Sequence, residues 1–501
     1  MKYRRCRPNC RSDCITVIER TLLAGELEIP RIVTGLWQVA DMERGGKALD
    51  PLPAAAAMAD YAEAGFDAFD MADHYGSSEV ITGHLLGQNL PIKAQIKAFT
   101  KWCPEPGAMT ADVVRAGVER ALTRMQTRSI DLMQFHWWTF EHPGYLDAII
   151  ELAAIRSEGL IKHIGLTNFD TAHLRVLLSH GLPIATNQVC LSLLDRRATG
   201  PMAQLCTARG VKLLAYGTLG GGFLSERWLN QSAPVEVGDW SKMKYRRFID
   251  AVGGWAALQG VLNAAYAIAQ KHGVSIANVA TRWVLDQAAV AAVIVGARLG
   301  ESEHRADNAR VFSFKLDGDD LALLEAAFAA TKAIPGDCGD EYRKPPFLTA
   351  SGDLSHHLSS FTPVYKKQLV HGHADRWSVD SGSLWEPIAG YSRAVRDGVH
   401  VSVSGTTATH GSGGAVAPGD AGAQTTWILD KIAASLSALG ARMEDVIRTR
   451  IYLRDVNEWE AVSREHGRVF GHTRPANTLV QAGALIGDDY RVEIEAEAIV
   501  R

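Results

Sequence analysis

The chain has 501 residues, 47% of them hydrophobic and 22% charged, with a formal net charge of -4. That length exceeds one ordinary hydrophobic core and predicts two or three domains, unless one of them is a large barrel. The near-balanced charge excludes a strongly basic nucleic-acid or membrane-surface binder, and no apolar run is long enough to span a bilayer.

The chain opens on MKYRRCRPNCRSDC, which is basic but is followed by no apolar run of the kind a secretory signal needs. Seven cysteines, an odd number spread along the chain, argue against a disulfide framework and for a reducing compartment, so a cytoplasmic location is expected. Cys6, Cys10 and Cys14 recur every four residues and could share one helix face. No fourth ligand stands near them, so no metal is expected. Residues 1–19 read as a disordered tail.

From about residue 30 to 310, short β-rich apolar runs alternate with helical stretches. The runs are IVTGL (32–36), FDAFD (66–70), QIKAFT (95–100), DLMQFH (131–136), KHIGLT (162–167), IATNQV (184–189), VKLLAY (211–216) and AAVIV (291–295). Helix-like segments between them include 53–64, 110–124, 145–158, 170–180 and 255–272. Strands alternating with helices imply parallel pairing through right-handed crossovers, and eight such units predict a closed (β/α)8 barrel. An open doubly wound sheet would carry a glycine fingerprint after its first strand, and WQVADMERGGK has none.

Active sites of such barrels lie at the C-terminal strand ends. Asp70 and Tyr75 follow the second strand, Lys101 the third and His136 the fourth. Thr167 and Asn168 follow the fifth, Asn187 and Gln188 end the sixth, and Tyr216 ends the seventh. One such residue would usually be a cap; six strand ends in register predict a pocket. The residue types fit carbonyl reduction, which needs a hydride from a cofactor and a proton for the oxygen. Tyr75 can supply the proton if a neighbouring ammonium, Lys101, favours its phenolate, and Asp70 can hold Lys101 charged. His136 can donate a hydrogen bond to the carbonyl oxygen. Trp37, Trp102 and Trp137 stand beside these strand ends, either as an apolar pocket wall or as core.

FDMADHYG, FTKW, DLMQFHWW, IGLTNF and NQV resemble, in order and spacing, the successive motifs of the aldo-keto reductases over about residues 20–335. The resemblance implies the tetrad Asp70, Tyr75, Lys101 and His136. It implies that Asn168 and Gln188, with Thr167 beside them, hold a nicotinamide carboxamide and that Tyr216 stacks on the ring. AYGTLGGGF resembles the family's diphosphate-holding turn and brings in Gly217, Leu219 and Gly220. VIVGARLGESEHRADN resembles its 2′-phosphate and adenine segment, with Arg298, Arg305 and Asn308. NADP(H) is therefore the expected cofactor and NAD(H) the alternative, and a small carbonyl or sugar is the expected substrate. The basic run KMKYRR (242–247) reads as a cofactor-covering loop or as a solvated one.

After about residue 335, IPGDCGDEYRKPPFLTASGDLSHH has no period and reads as a linker over 336–375. Over 376–501, YSRAVR and VHVSVS flank Asp397-Gly398, a hairpin signal. A helix at 422–439, a strand at 446–453, a helix at 457–470 and strands at 476–482 and 491–499 complete a small α+β domain. GYSRAV, VSGTT, EDVIRTRIYLRD, FGHTRPANTLV and RVEIEAEAIV resemble the Rid (YjgF-like, reactive intermediate deaminase) family. That resemblance implies a homotrimer with clefts between subunits. Tyr391, Asn477 and Glu497 match cleft positions, but Asn477 stands where active members carry a carboxylate-binding arginine, and an amide cannot supply that charged grip. The chain is expected to be an oxidoreductase with a trimerising or ligand-binding module. A bifunctional imine hydrolase and carbonyl reductase is the alternative.

Overall fold

The computed structural model describes residues 17–40, 44–88, 91–238, 240–343 and 361–500. Cys6, Cys10 and Cys14 lie outside them. A hairpin of β1 (Arg20–Leu23) and β2 (Leu27–Pro30) precedes eight parallel strands: β3 (Ile32–Gly35), β4 (Ala68–Asp70), β5 (Lys97–Trp102), β6 (Ile130–His136), β7 (Ile161–Thr167), β8 (Ile184–Cys190), β9 (Lys212–Tyr216) and β10 (Val290–Gly296). They pair in chain order, and β10 closes on β3 to complete a barrel. All eight expected runs are strands of it.

The strands are buried on both faces, which is why their sequences are apolar throughout rather than alternating. Helices such as Pro51–Glu63, Ala111–Arg124 and Thr171–Ser179 form the outer layer, each begun by a side-chain cap (Asp50, Thr110, Asp170) that satisfies an otherwise orphaned backbone N–H. Inside the barrel, Val33, Ala68, Phe99, Leu132, Leu214 and Ala292 form an apolar plug that Leu23, Leu27 and Ile29 of the hairpin seal from below. The polar strand ends therefore sit above a dry floor.

The C-terminal domain has seven strands: β11 (Lys367–Leu369), β12 (Arg376–Val379), β13 (Ala394–Asp397), β14 (His400–Thr407), β15 (Val446–Leu453), β16 (Ala476–Gln481) and β17 (Val492–Ile499). Their order is β11-β12-β13-β14-β17-β15-β16. β17 buries Val492, Ile494, Ala496 and Ala498 and turns its glutamates to the other face. Helix Ala421–Ala438 covers the buried face, beside helix Trp459–Phe470. Its far side packs on barrel helix Thr171–Ser179, and Gln424, Thr425, Thr426, Asp430, Lys431 and Ser435 are all buried along it.

Three stretches differ from their expected form. β11 and β12, short and polar, extend the sheet where the sequence suggested a linker or carried no strand pattern. Residues 242–247 lie in helix Trp240–Ala251, because Lys244, Tyr245, Phe248 and Ile249 share a buried face at helical spacing. Residues 337–343, expected in the linker, pack into the barrel mouth.

Candidate active site

Strand pleating decides which end residues face the barrel axis. On β4, Ala68 and Asp70 face inward; on β5, Phe99 and Lys101 do; on β6, Leu132, Gln134 and His136 do. Asp70 is buried. One of its oxygens accepts from the Lys101 ammonium at 2.6 Å, the other from the amides of Gln134 and Gln188 at 2.8 Å each. Lys101 also donates to the Met71 carbonyl at 2.9 Å. Its ammonium sits 4.8 Å from the centre of the Tyr75 ring. Tyr75 follows β4 in a tight turn in which its N–H bonds the Ala72 carbonyl. Trp37 and His74 pack against it edge to face, each 4.9 Å between centroids.

His136 is buried against Trp138 (4.1 Å) and Tyr342 (5.3 Å). Burial, then the charge of Arg343, hold its pKa well below the usual imidazole range, so the ring is neutral. Its Nε2 is buried and meets no hydrogen-bond partner among the described residues, and the same holds for Thr167 Oγ1. Buried polar atoms without partners are rare in proteins and mark places where a ligand completes the bonding.

Asn168 lies just past β7 at φ 58°, a left-handed conformation that asparagine tolerates better than most residues. Its Oδ1 is 2.7 Å from the Tyr216 hydroxyl. Gln188 faces the axis and donates to Gln134 Oε1 at 2.7 Å as well as to Asp70. Asn187, one residue earlier, points outward and donates to the Phe169 carbonyl. After β9, Gly217, Gly220, Gly221 and Gly222 all have positive φ, with Leu219 among them half-buried. A Cβ at Gly217 would collide with the Tyr245 hydroxyl, so glycine is needed there.

Beyond β10, Arg298 is exposed. Arg305 is paired with Glu303 at 2.6 Å, and Arg44 reaches Glu301 at 2.5 Å. Asn308 is half-buried in the short helix Arg305–Ala309.

The tryptophan wall divides. Trp37 touches Tyr75, but Trp102 packs outward on Phe135 and against Gly117 of the helical layer. Trp137 stacks on Phe135 and donates to the His142 carbonyl. Each follows an inward residue, Lys101 or His136, so the pleat turns it away. Trp138, in the loop beyond β6, is the indole beside His136.

Residues from two distant segments complete the mouth. Lys244 is buried, 2.5 Å from the Tyr342 hydroxyl and 4.9 Å from the centre of the Tyr216 ring. Burial opposes its charge, yet Tyr342 and Glu341 outweigh that and raise its pKa. Glu341, fully buried, lies 3.2 Å from the Tyr216 hydroxyl and 3.0 Å from Arg197, which also grips Asp195 at 2.7 Å. Burial pushes Glu341 up, but Arg197 and Lys244 hold it below the usual carboxylate range. Arg343 donates to the carbonyls of Asn168 (2.7 Å) and Trp137 (2.6 Å).

In the C-terminal domain the three cleft candidates bond to different neighbours: Tyr391 to Arg393 (3.0 Å), Asn477 to Thr449 (2.9 Å) and Glu497 to Arg450 (3.0 Å). Cys103, Cys190, Cys206 and Cys338 are buried. No helix among the described residues is long and apolar enough to cross a membrane.

Comparison with known proteins follows this division of the chain. The model of the aldo/keto reductase family matches residues 31–329, and that of endoribonuclease L-PSP matches 383–500. Flagellar radial spoke protein 5 of Chlamydomonas reinhardtii is 35% identical over 177 residues, 31% of this chain and only 33% of that protein. A RutC family protein of Pyrococcus horikoshii is 33% identical over 113 residues, 23% of this chain and 89% of its own length. The solved glycerol dehydrogenase of Gluconobacter oxydans superposes with a TM-score of 0.51 at 22% identity, covering 65% of this chain and 98% of that one, which is a likeness of fold.

Proposed function

The chain belongs to the aldo/keto reductase family, with a RutC-family domain after the barrel, and on that premise we propose that the barrel reduces a small aldehyde or ketone, or oxidises the matching alcohol or sugar, with NADP(H). The observation that carries the reading is the buried Asp70–Lys101 pair beside Tyr75, facing a neutral His136 whose Nε2 has no protein partner among the described residues.

When bound, the nicotinamide supplies the hydride that adds to the carbonyl carbon. His136 donates a hydrogen bond to the carbonyl oxygen through Nε2, where negative charge develops. Tyr75 gives its hydroxyl proton to that oxygen, and Lys101 stabilises the phenolate that remains. Asp70 keeps Lys101 charged and aimed at Tyr75. Trp37, Trp138 and Tyr342 exclude water.

The residues fit the cofactor. Thr167 and Asn168 stand at one end of β7, Gln188 lies beside Asp70, and Tyr216 offers a ring face. In the glycine turn 217–222 the N–H groups of Gly220 and Gly222 are used within the turn, so a diphosphate would be met by the remaining backbone N–H groups. Asn168 and Tyr216 would exchange their mutual hydrogen bond for contacts to the carboxamide and ring. Arg298 is the exposed cation for a 2′-phosphate, with Arg305 and Asn308 towards the adenine. The pairing of Arg305 with Glu303 favours NAD(H) as the competing reading.

Fluorescence titration with both cofactors, followed by a carbonyl and sugar panel, tests this. Tighter NADPH binding that Arg298→Ala selectively weakens is expected; equal affinity for both would contradict the NADP(H) assignment. For the C-terminal domain we propose a trimerising module without ordinary imine hydrolysis, because Asn477 is neutral and already bonded to Thr449.

A further inference from the structure

Asp430 comes from the C-terminal domain, yet Tyr145 and His173, to which its side chain bonds, are in the barrel. One oxygen accepts from the Tyr145 hydroxyl at 3.0 Å, and the other lies 3.1 Å from His173 Nε2. The second nitrogen of the same imidazole is 2.7 Å from Asp170 Oδ1. All four side chains are buried. Burial opposes the charge of His173, but the two carboxylates outweigh it and raise its pKa above the usual imidazole range; the Arg468 guanidinium also faces Asp170 and Asp430.

This chain ends on the turn that carries Asn168. Asp170 caps helix Thr171–Ser179 by accepting from the His173 N–H at 2.8 Å. Asp170 is two residues past Asn168, whose left-handed backbone requires its flanks to be held. Phe140 lies flat on the His173 ring at 3.4 Å and meets Phe169, the residue between, at 5.4 Å. The next peptide is fixed too, with Thr171 N–H donating to Asp337 at 2.8 Å.

We propose that Asp430 is a positioning residue for the barrel's cofactor pocket: through His173 and Asp170 the C-terminal domain fixes the 168–170 turn and so aims the Asn168 amide at the nicotinamide. The proposal rests on the reading of Asn168 as a cofactor ligand. It gives the fused domain a part in the reductase without any chemistry of its own. Asp430 touches neither cofactor nor substrate, so its effect falls on cofactor affinity rather than on the proton-transfer groups Tyr75, Lys101 and His136.

The test uses the full chain. NADPH binding is measured by fluorescence titration, and kcat at saturating NADPH is measured beside it, for wild type, Asp430→Asn, His173→Gln and the double variant. Tyr145→Phe is the control, because it removes the other hydrogen bond to Asp430 while keeping the ring that packs on His173 and Phe169 and the His173 contacts to both carboxylates. The expected result is a Kd raised about 10-fold in each single variant, as for other residues that orient a ligand-binding group, with kcat within about twofold. The double variant should be no weaker than the weaker single one, because both act on one chain of contacts. Tyr145→Phe should leave Kd unchanged. If Asp430→Asn fails to fold, His173→Gln alone carries the comparison with Tyr145→Phe. A folded Asp430→Asn or His173→Gln with wild-type Kd overturns the proposal, as does a Tyr145→Phe that weakens NADPH equally, since either outcome makes Asp430 interface packing only. Wild-type protein that binds neither cofactor would instead sink the reductase reading itself.

Discussion

Glu341 shows how much one carboxylate can organise. It is fully buried, yet its position satisfies Arg197, faces Lys244 and gives the Tyr216 hydroxyl a second acceptor. A buried charge survives only when paired and hydrogen-bonded. Glu341→Gln keeps the shape and removes the charge, leaving Arg197 with the Asp195 carboxylate and the Asp337 carbonyl. The expected loss is about 1–3 kcal/mol of unfolding free energy, read from denaturant midpoints at pH 7. The sign with pH follows from the lowered folded-state pKa. The contribution of Glu341 is present above the ordinary value of 4.5 and is lost as pH falls through the lower folded value. The gap between wild type and variant should therefore narrow in acid. Equal midpoints at pH 7 would mean that Glu341 is merely tolerated in the mouth.

At the scale of elements, pleat and helix period explain what the sequence could and could not tell. The eight barrel strands were legible because both-face burial leaves continuous apolar runs, and the polar residues stop those runs where the strands end. The inward set Asp70, Lys101 and His136 was legible for the same reason. Trp102 and Trp137 show what neighbouring position alone misses: each stands next to an inward residue, and strict alternation sends it outward. Gly117→Ala tests that orientation, because a Cβ there would lie 2.6 Å from the Trp102 indole. Overpacking of this kind costs about 1–3 kcal/mol, so the variant should melt lower while kcat stays at the wild-type value. A variant as stable as wild type would mean that Trp102 does not pack there. Glu341, Tyr342 and Arg343 were not legible as mouth residues, and Lys244 was so only in one of two readings of its basic run. They reach it from a basic run and from an aperiodic Gly/Pro-rich stretch, and only tertiary packing shows that either is buried.

Across the whole molecule, one helix, Ala421–Ala438, is covered by its own sheet on one side and by the barrel on the other. The polar side chains along it carry no periodic mark of that second contact, so the sequence showed only a linker between the two domains. The opposite sheet face stays open, with Glu495 and Glu497 bound to Arg450 and with Ile447 and Val480 exposed nearby in β15 and β16. Trp385 and Ile388 are also exposed. Small domains gain stability by burying such surfaces against partners. Light scattering on the full chain should therefore give three times the mass of one chain, and a monomer would contradict the assembly. An imine-hydrolysis assay on the same preparation should show no rate above buffer, with Asn477→Arg the variant expected to gain one. Brisk hydrolysis by the unaltered chain would revive the bifunctional reading.

The most direct measurement is single-turnover oxidation of bound NADPH by a carbonyl substrate in Tyr75→Phe. Phenylalanine keeps the ring that packs on Trp37 and lies beside Lys101, and removes only the hydroxyl that carries the proton. Carbonyl reduction through Tyr75 predicts near-normal cofactor binding and a rate lower by about 100- to 10,000-fold. A Tyr75→Phe protein that oxidises NADPH at the wild-type rate when chemistry is limiting would contradict it.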